Sequence, residues 1–128
     1  MAYLWIAFGS ALGGAARYWC YGVMARLLGE TFPWGTLAVN ILGCTFIGFF
    51  ATVTGPDGRV LVGVPVRQFV MPGICGGFTT FSTFGLETLS LARDGEWLKA
   101  AINVVASVLF CLVGVWLGHT VASSLSQS

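Results

Sequence analysis

The chain is poor in charge. Of 128 residues, six are Lys or Arg, five are Asp or Glu and one is His, so 9% are charged while 56% are hydrophobic. A soluble domain carries about 25% charged residues and needs them to cover its surface, so an ordinary water-soluble domain is excluded. Disorder is excluded too, because it requires low hydrophobicity and high net charge. Histidine is nearly absent, with His119 alone, and the four cysteines (Cys20, Cys44, Cys75 and Cys111) include no CxxC pair. That leaves no metal-cluster spacing. No nucleophile–base set stands out either, so the chain is not expected to be an enzyme. There is no carboxylate between Met1 and Leu28.

What is abundant is apolar sequence. Ala2–Ala16, Thr31–Pro56 and Gln68–Leu86 are free of charge, and from Ala100 onward only His119 titrates. The charges collect between these runs, at Arg26 and Glu30, at Asp57, Arg59 and Arg67, and at Arg93, Asp94, Glu96 and Lys99. A membrane-crossing helix takes about 20 apolar residues, so four spans fit this length and six do not. The pattern predicts an all-α integral membrane protein, one four-helix domain over 1–128, with spans near 3–26, 34–54, 66–92 and 97–121. The first run lacks a basic leader and continues past Arg17, so it is expected to be a retained helix and not a cleaved signal. With four spans, Arg59 and Arg67 lie on one side of the membrane and Arg26, Arg93 and Lys99 on the other. Two against three is close to a tie under the positive-inside rule. Either the weak bias suffices, or the chain inserts both ways and pairs antiparallel. The cysteines read as small apolar packing residues.

Several polar residues interrupt the apolar runs. Arg17 lies inside the first span, either snorkelling to the interface or placing positive charge near a watery vestibule. Gly9 and Gly13 form a small-xxx-small face. In the second span Thr36 and Asn40 share a helical face, and Asn40 serves either packing or ion contact. The third span holds Gly73-Ile74-Cys75-Gly76-Gly77-Phe78-Thr79-Thr80-Phe81-Ser82-Thr83-Phe84-Gly85-Leu86-Glu87. Paired glycines followed by hydroxyl residues predict a helix break near Gly76–Thr80, tolerated at membrane depth only where buried or lining a cavity. A break frees backbone carbonyls, which suit a small alkali cation. Phe81 and Phe84 share a face beyond it, and their ring edges carry partial positive charge. No GxxxxGK[ST] phosphate loop occurs. Glu87 admits an ion-path, ion-pair or interfacial role, and Asn103 and Ser107 form the polar stripe of the last span.

Gly13-Gly14-Ala15-Ala16-Arg17, Gly35-Thr36-Leu37-Ala38-Val39-Asn40 and Gly76-Gly77-Phe78-Thr79-Thr80-Phe81-Ser82-Thr83-Phe84 occur in this order. With the length and four spans, the chain resembles the CrcB/Fluc family of fluoride channels. The resemblance implies a dual-topology antiparallel homodimer in the inner (plasma) membrane, with two fluoride pores and passive export of cytoplasmic fluoride. It implies one central sodium ion, structural and not transported, held by backbone carbonyls of Gly76 and Thr79 from both copies. It assigns fluoride contact to the ring edges of Phe81 and Phe84, the pore amide to Asn40, the polar track to Thr36, Ser82 and Thr83, and the pore entrance to Arg17. The implied partners are fluoride, membrane lipid and a second copy, with no nucleic acid and no protein substrate. Some members carry tyrosine where this chain has Asn103, so Asn103 is not counted among the site residues. A small multidrug-resistance-type proton-coupled antiporter is the alternative, but it needs a carboxylate in the first helix. A non-transporting scaffold subunit would leave the Thr/Ser/Phe string unexplained.

Overall fold

The computed structural model describes residues 1–127, and among the described residues the regular structure is entirely helical. Helix α1 spans Ala2–Leu28 and ends at Gly29, whose φ of 82° lies in the left-handed region that glycine adopts freely. Pro33 then sets up the start of α2, Trp34–Val53. A connector leads to α3 (Val64–Gln68), which continues without interruption into a π-helical segment, π1 (Phe69–Cys75), and a single turn, α4 (Gly76–Phe78). Pro72 lies inside π1, where it has no N–H to give and its ring crowds the preceding turn; a widened turn accommodates both. Thr79 and Thr80 are extended (φ −89°, ψ 159° and φ −154°, ψ 119°), and α5 follows as Phe81–Arg93. Gly95, φ 80°, turns the chain into α6, Trp97–Gln127.

Three helical stretches are long and apolar enough to cross a membrane: Trp34–Val53, Val64–Arg93 and Trp97–Ser126. The chain is a membrane protein on this basis. The first stretch, expected near 3–26, is helical over 27 residues but falls outside this apolar set. Four glycines, three tyrosines and two arginines dilute it. The last helix runs on to Gln127, past the expected end near 121, because Ser123–Gln127 contain no glycine or proline to stop it.

The helices pack in two parallel pairs. α1 lies along α3, π1 and α4, so closely that a Cβ at Gly13 would strike the Ile74 carbonyl and come within 2.8 Å of the Phe78 nitrogen. Small residues permit such backbone approach in a membrane, where contact and dispersion replace the hydrophobic effect between helices. α2 lies along α6 in one register. Thr52 Oγ1 hydrogen-bonds His119 Nδ1 at 2.8 Å across 67 positions of sequence, and Gly48 faces the Val115 carbonyl at the same offset. At the C-terminal end of α2, Arg67 donates to the Thr54 carbonyl at 3.0 Å and to the Thr54 hydroxyl. A cation there complements the negative end of the helix dipole.

Candidate functional site

The two extended residues between α4 and α5 organise the site. An interrupted helix leaves backbone groups without their i→i+4 partners, and inside a membrane each needs another. Asn40, on α2 and 9% exposed, meets Thr80 with both ends of its amide. Its Nδ2 donates to the Thr80 carbonyl at 3.1 Å, and its Oδ1 accepts from the Thr80 N–H at 2.8 Å. Arg17, on α1, donates from Nε to the Gly77 carbonyl at 3.0 Å, and its guanidinium lies 5.9 Å from the centre of the Tyr21 ring. Thr80 Oγ1 caps α5 by accepting from the Thr83 N–H at 3.2 Å, and it also meets the hydroxyls of Thr83 (3.1 Å) and Ser82 (3.3 Å). Thr79 turns its hydroxyl back to the Cys75 carbonyl at 2.9 Å.

The carbonyls of Gly76 and Thr79 are among those that lose their helical donors in this arrangement. The Thr80 N–H, which a continuous helix would direct to Gly76, goes to Asn40. The Thr83 N–H, which would serve Thr79, goes to Thr80 Oγ1. Carbonyl oxygen is a hard donor of the kind that suits a hard cation.

A cavity of about 320 Å³ opens beside the extended residues, lined by Asn40, Thr79, Thr80, Phe81, Phe84 and Ser107 together with Cys44, Cys111 and two aliphatic residues. No carboxylate, guanidinium or ammonium lines it among the described residues. What it offers an anion is neutral: the second N–H of Asn40, the Ser107 hydroxyl, whose bond to Asn103 Oδ1 is long at 3.5 Å, and two aromatic edges. The rings of Phe81 and Phe84 have centroids 5.4 Å apart and are tilted by 42°. Phe84 is buried, whereas Phe81 is 82% exposed on the single chain.

Thr36 sits elsewhere. It is 3% exposed and lines a second cavity of about 240 Å³ with Tyr21, Glu87 and the start of α2. The oxygens Tyr21 Oη, Thr36 Oγ1 and Glu87 Oε1 are all buried there, with the Thr36 hydroxyl beside the Glu87 carboxyl. A cavity lined by two hydroxyls and a carboxyl is polar and roomy enough for water. Ser82 and Thr83 line neither cavity; they face Thr80. Arg17 lines neither one, because it is engaged at the Gly77 carbonyl.

Among the expected residues, the structure therefore gathers Asn40, Thr79, Phe81 and Phe84 around one cavity. It puts Thr36 in another and gives Arg17, Ser82 and Thr83 roles in holding the interrupted backbone. Residues not singled out for the site from sequence are Thr80, which Asn40, Ser82 and Thr83 all contact, Tyr21, and Cys44 and Cys111 as cavity-lining residues. Asn103 is 2% exposed and donates from Nδ2 to Thr88 Oγ1 at 2.9 Å, while that hydroxyl donates to the Phe84 carbonyl at 2.8 Å. This ties the helix bearing both phenylalanines to α6. Spacing in the sequence could have drawn attention to Cys44 and Cys111, which each lie one turn from a polar residue of the same helix, Asn40 and Ser107; nothing comparable marks Thr80 or Tyr21.

The sequence pattern of the family described as CrcB-like protein, camphor resistance (CrcB), matches residues 4–119. Among similar curated proteins, one from Rhodospirillum rubrum is 57% identical over 127 residues, covering 99% of this chain and 98% of the relative. One from Methylocella silvestris is 56% identical over 127 residues (99% and 97%), and one from Opitutus terrae is 58% identical over 125 residues (98% and 95%). All three are named fluoride-specific ion channel FluC.

Proposed function

The chain belongs to the CrcB family, and from that premise we propose that it is a fluoride-selective channel of the inner (plasma) membrane, letting fluoride leave the cytoplasm passively. The observation that carries this reading is the cavity in which Asn40, Phe81 and Phe84 meet without any fixed charge. Fluoride holds its water strongly, so a pore must replace that water with several donors and still release the ion. Amide N–H, hydroxyl and ring edges do so; an arginine or lysine at the same place would hold the ion. Engaging Arg17 at the Gly77 carbonyl keeps its charge off the cavity wall. The Tyr21–Thr36–Glu87 chamber serves as the hydrated end of the path.

In this reading α1 is a fourth span, held by its backbone contact with π1, and the third span is broken at Thr79–Thr80 at membrane depth. Two copies pair antiparallel, and the exposed ring of Phe81 supplies part of the joint surface. The carbonyls of Gly76 and Thr79 would hold a structural sodium ion, whose charge would offset the repulsion between their oxygens. The fluxes of fluoride and chloride from liposomes holding the purified protein test the function. Fluoride should leave rapidly and chloride at the background rate; equal fluxes, or none, overturn it.

A further inference from the structure

The register of α2 against α6 brings two thiols together. Thr52 meets His119, and one turn toward the start of both helices Gly48 meets Val115, at the same offset of 67 positions. One turn further, the same offset sets Cys44 against Cys111. Both line the 320 Å³ cavity, as do Asn40 and Ser107, which form the next rung. Both thiols are free and half-buried, and no charged group lines the cavity around them.

We propose that Cys44 and Cys111 form a two-coordinate thiolate site for a soft metal cation, in the wall of the cavity that the channel reading gives to fluoride. Thiolates select soft metals. Among the described residues no group of three or more His, Cys, Asp or Glu side chains is placed to hold a metal, so the four-ligand demand of zinc is unmet. A pair of facing thiols suits ions content with two ligands in line, such as Hg²⁺, Ag⁺ or Cu⁺. With Hg²⁺ the step is 2 RSH + Hg²⁺ → Hg(SR)₂ + 2 H⁺, in which two S–H bonds break, two Hg–S bonds form and nothing is oxidised. The product is neutral and bulky, and it stands where Phe81 and Phe84 face the cavity.

Binding is independent of transport; the effect on flux rests on the channel reading, and the experiment separates them. The probe is Hg²⁺, added to the purified protein in a variant with Cys20→Ser and Cys75→Ser, which leaves the pair alone. The expected result is one metal per chain, two protons released per metal, and about a 100-fold loss of affinity when Cys44→Ser or Cys111→Ser removes one arm of the chelate. Unchanged affinity in both variants, or one proton per metal, overturns the site. In the wild type, without any variant, bound Hg²⁺ should protect both cysteines from maleimide as read by mass spectrometry; labelling of either one at the metal-free rate overturns it as well. In liposomes, Hg²⁺ should suppress fluoride efflux, with suppression lost in each single-thiol variant relative to its own metal-free rate. Chelation by the pair in a protein that moves no fluoride would keep the site and sink the channel reading; fluoride flux without chelation would do the reverse.

Discussion

A single asparagine does two jobs at the interrupted helix. Asn40 satisfies the N–H and the carbonyl of Thr80 and still has one N–H for the cavity. Replacing it by leucine leaves two buried backbone groups without partners, at a cost of about 1–3 kcal/mol each; chemical unfolding in detergent should show the loss. Asn40→Asp keeps the acceptor for the Thr80 N–H but sets negative charge on the cavity wall. Its fluoride efflux should fall well below what its stability accounts for. Phe81→Ile and Phe84→Ile remove ring edges and should lower fluoride throughput in protein that still folds; wild-type flux in both would remove the aromatic contribution. The sequence made Asn40 conspicuous as an amide inside an apolar run, and it made the phenylalanine pair visible by spacing. It did not reveal that Thr80, 40 residues on, consumes most of the amide, because a hydrogen bond over that distance is a property of helix packing. Arg17 was ambiguous for the same reason, since its acceptor lies 60 residues away.

Among helices, close contact decides position. A methyl group at Gly13 meets the Ile74 carbonyl, whereas one at Gly14 meets nothing within 4 Å. Gly13→Ala should therefore force α1 away from π1 and destabilise the fold by at least the 1–3 kcal/mol usual for overpacking, while Gly14→Ala should stay within about 0.5 kcal/mol. Thermal aggregation of the two variants in detergent distinguishes them; equal melting would mean that α1 does not pack as described. The small-xxx-small face at Gly9 and Gly13 was legible, since spacing alone puts both on one side of a helix. The widened turn around Pro72 was not. A proline within an apolar run signals a kink or an end, and the helix absorbed it because π1 continues the hydrogen bonding on both sides.

At the level of the whole molecule, charge placement governs insertion. Arg67, one of only two cations in the second connector region, is bound to the end of α2. In the proposed four-span arrangement, adding cations to that connector should break the near-tie. Val60 and Leu61 are exposed there. The double change Val60→Lys and Leu61→Lys should drive the N-terminus to the cytoplasmic side in nearly all copies. Reporter tags at both ends would measure this, and co-expression with a chain biased the opposite way should restore the flux that the change removes. Full flux from the single-orientation variant alone would exclude antiparallel pairing. Membrane class was legible at once from the scarcity of charge. The status of the first helix was not, because its glycines and tyrosines make it less apolar than the other three stretches and its place depends on the neighbour it touches.

The contacts at Gly77 and Thr80 also have an order in time. Both side chains that satisfy this interrupted backbone, Arg17 and Asn40, precede it in the chain, by 60 and 40 residues. As the polypeptide is made from its N-terminus, α1 and α2, both of them spans in the proposed arrangement, enter the bilayer before the weak segment emerges. The segment thus meets its partners on arrival and need not wait in lipid with bare peptide groups. A circularly permuted gene that placed α3 to α6 ahead of α1 and α2 would hold every residue of the finished structure yet reverse that sequence of events. Its yield of inserted protein would show how far the fold depends on the direction in which it is written.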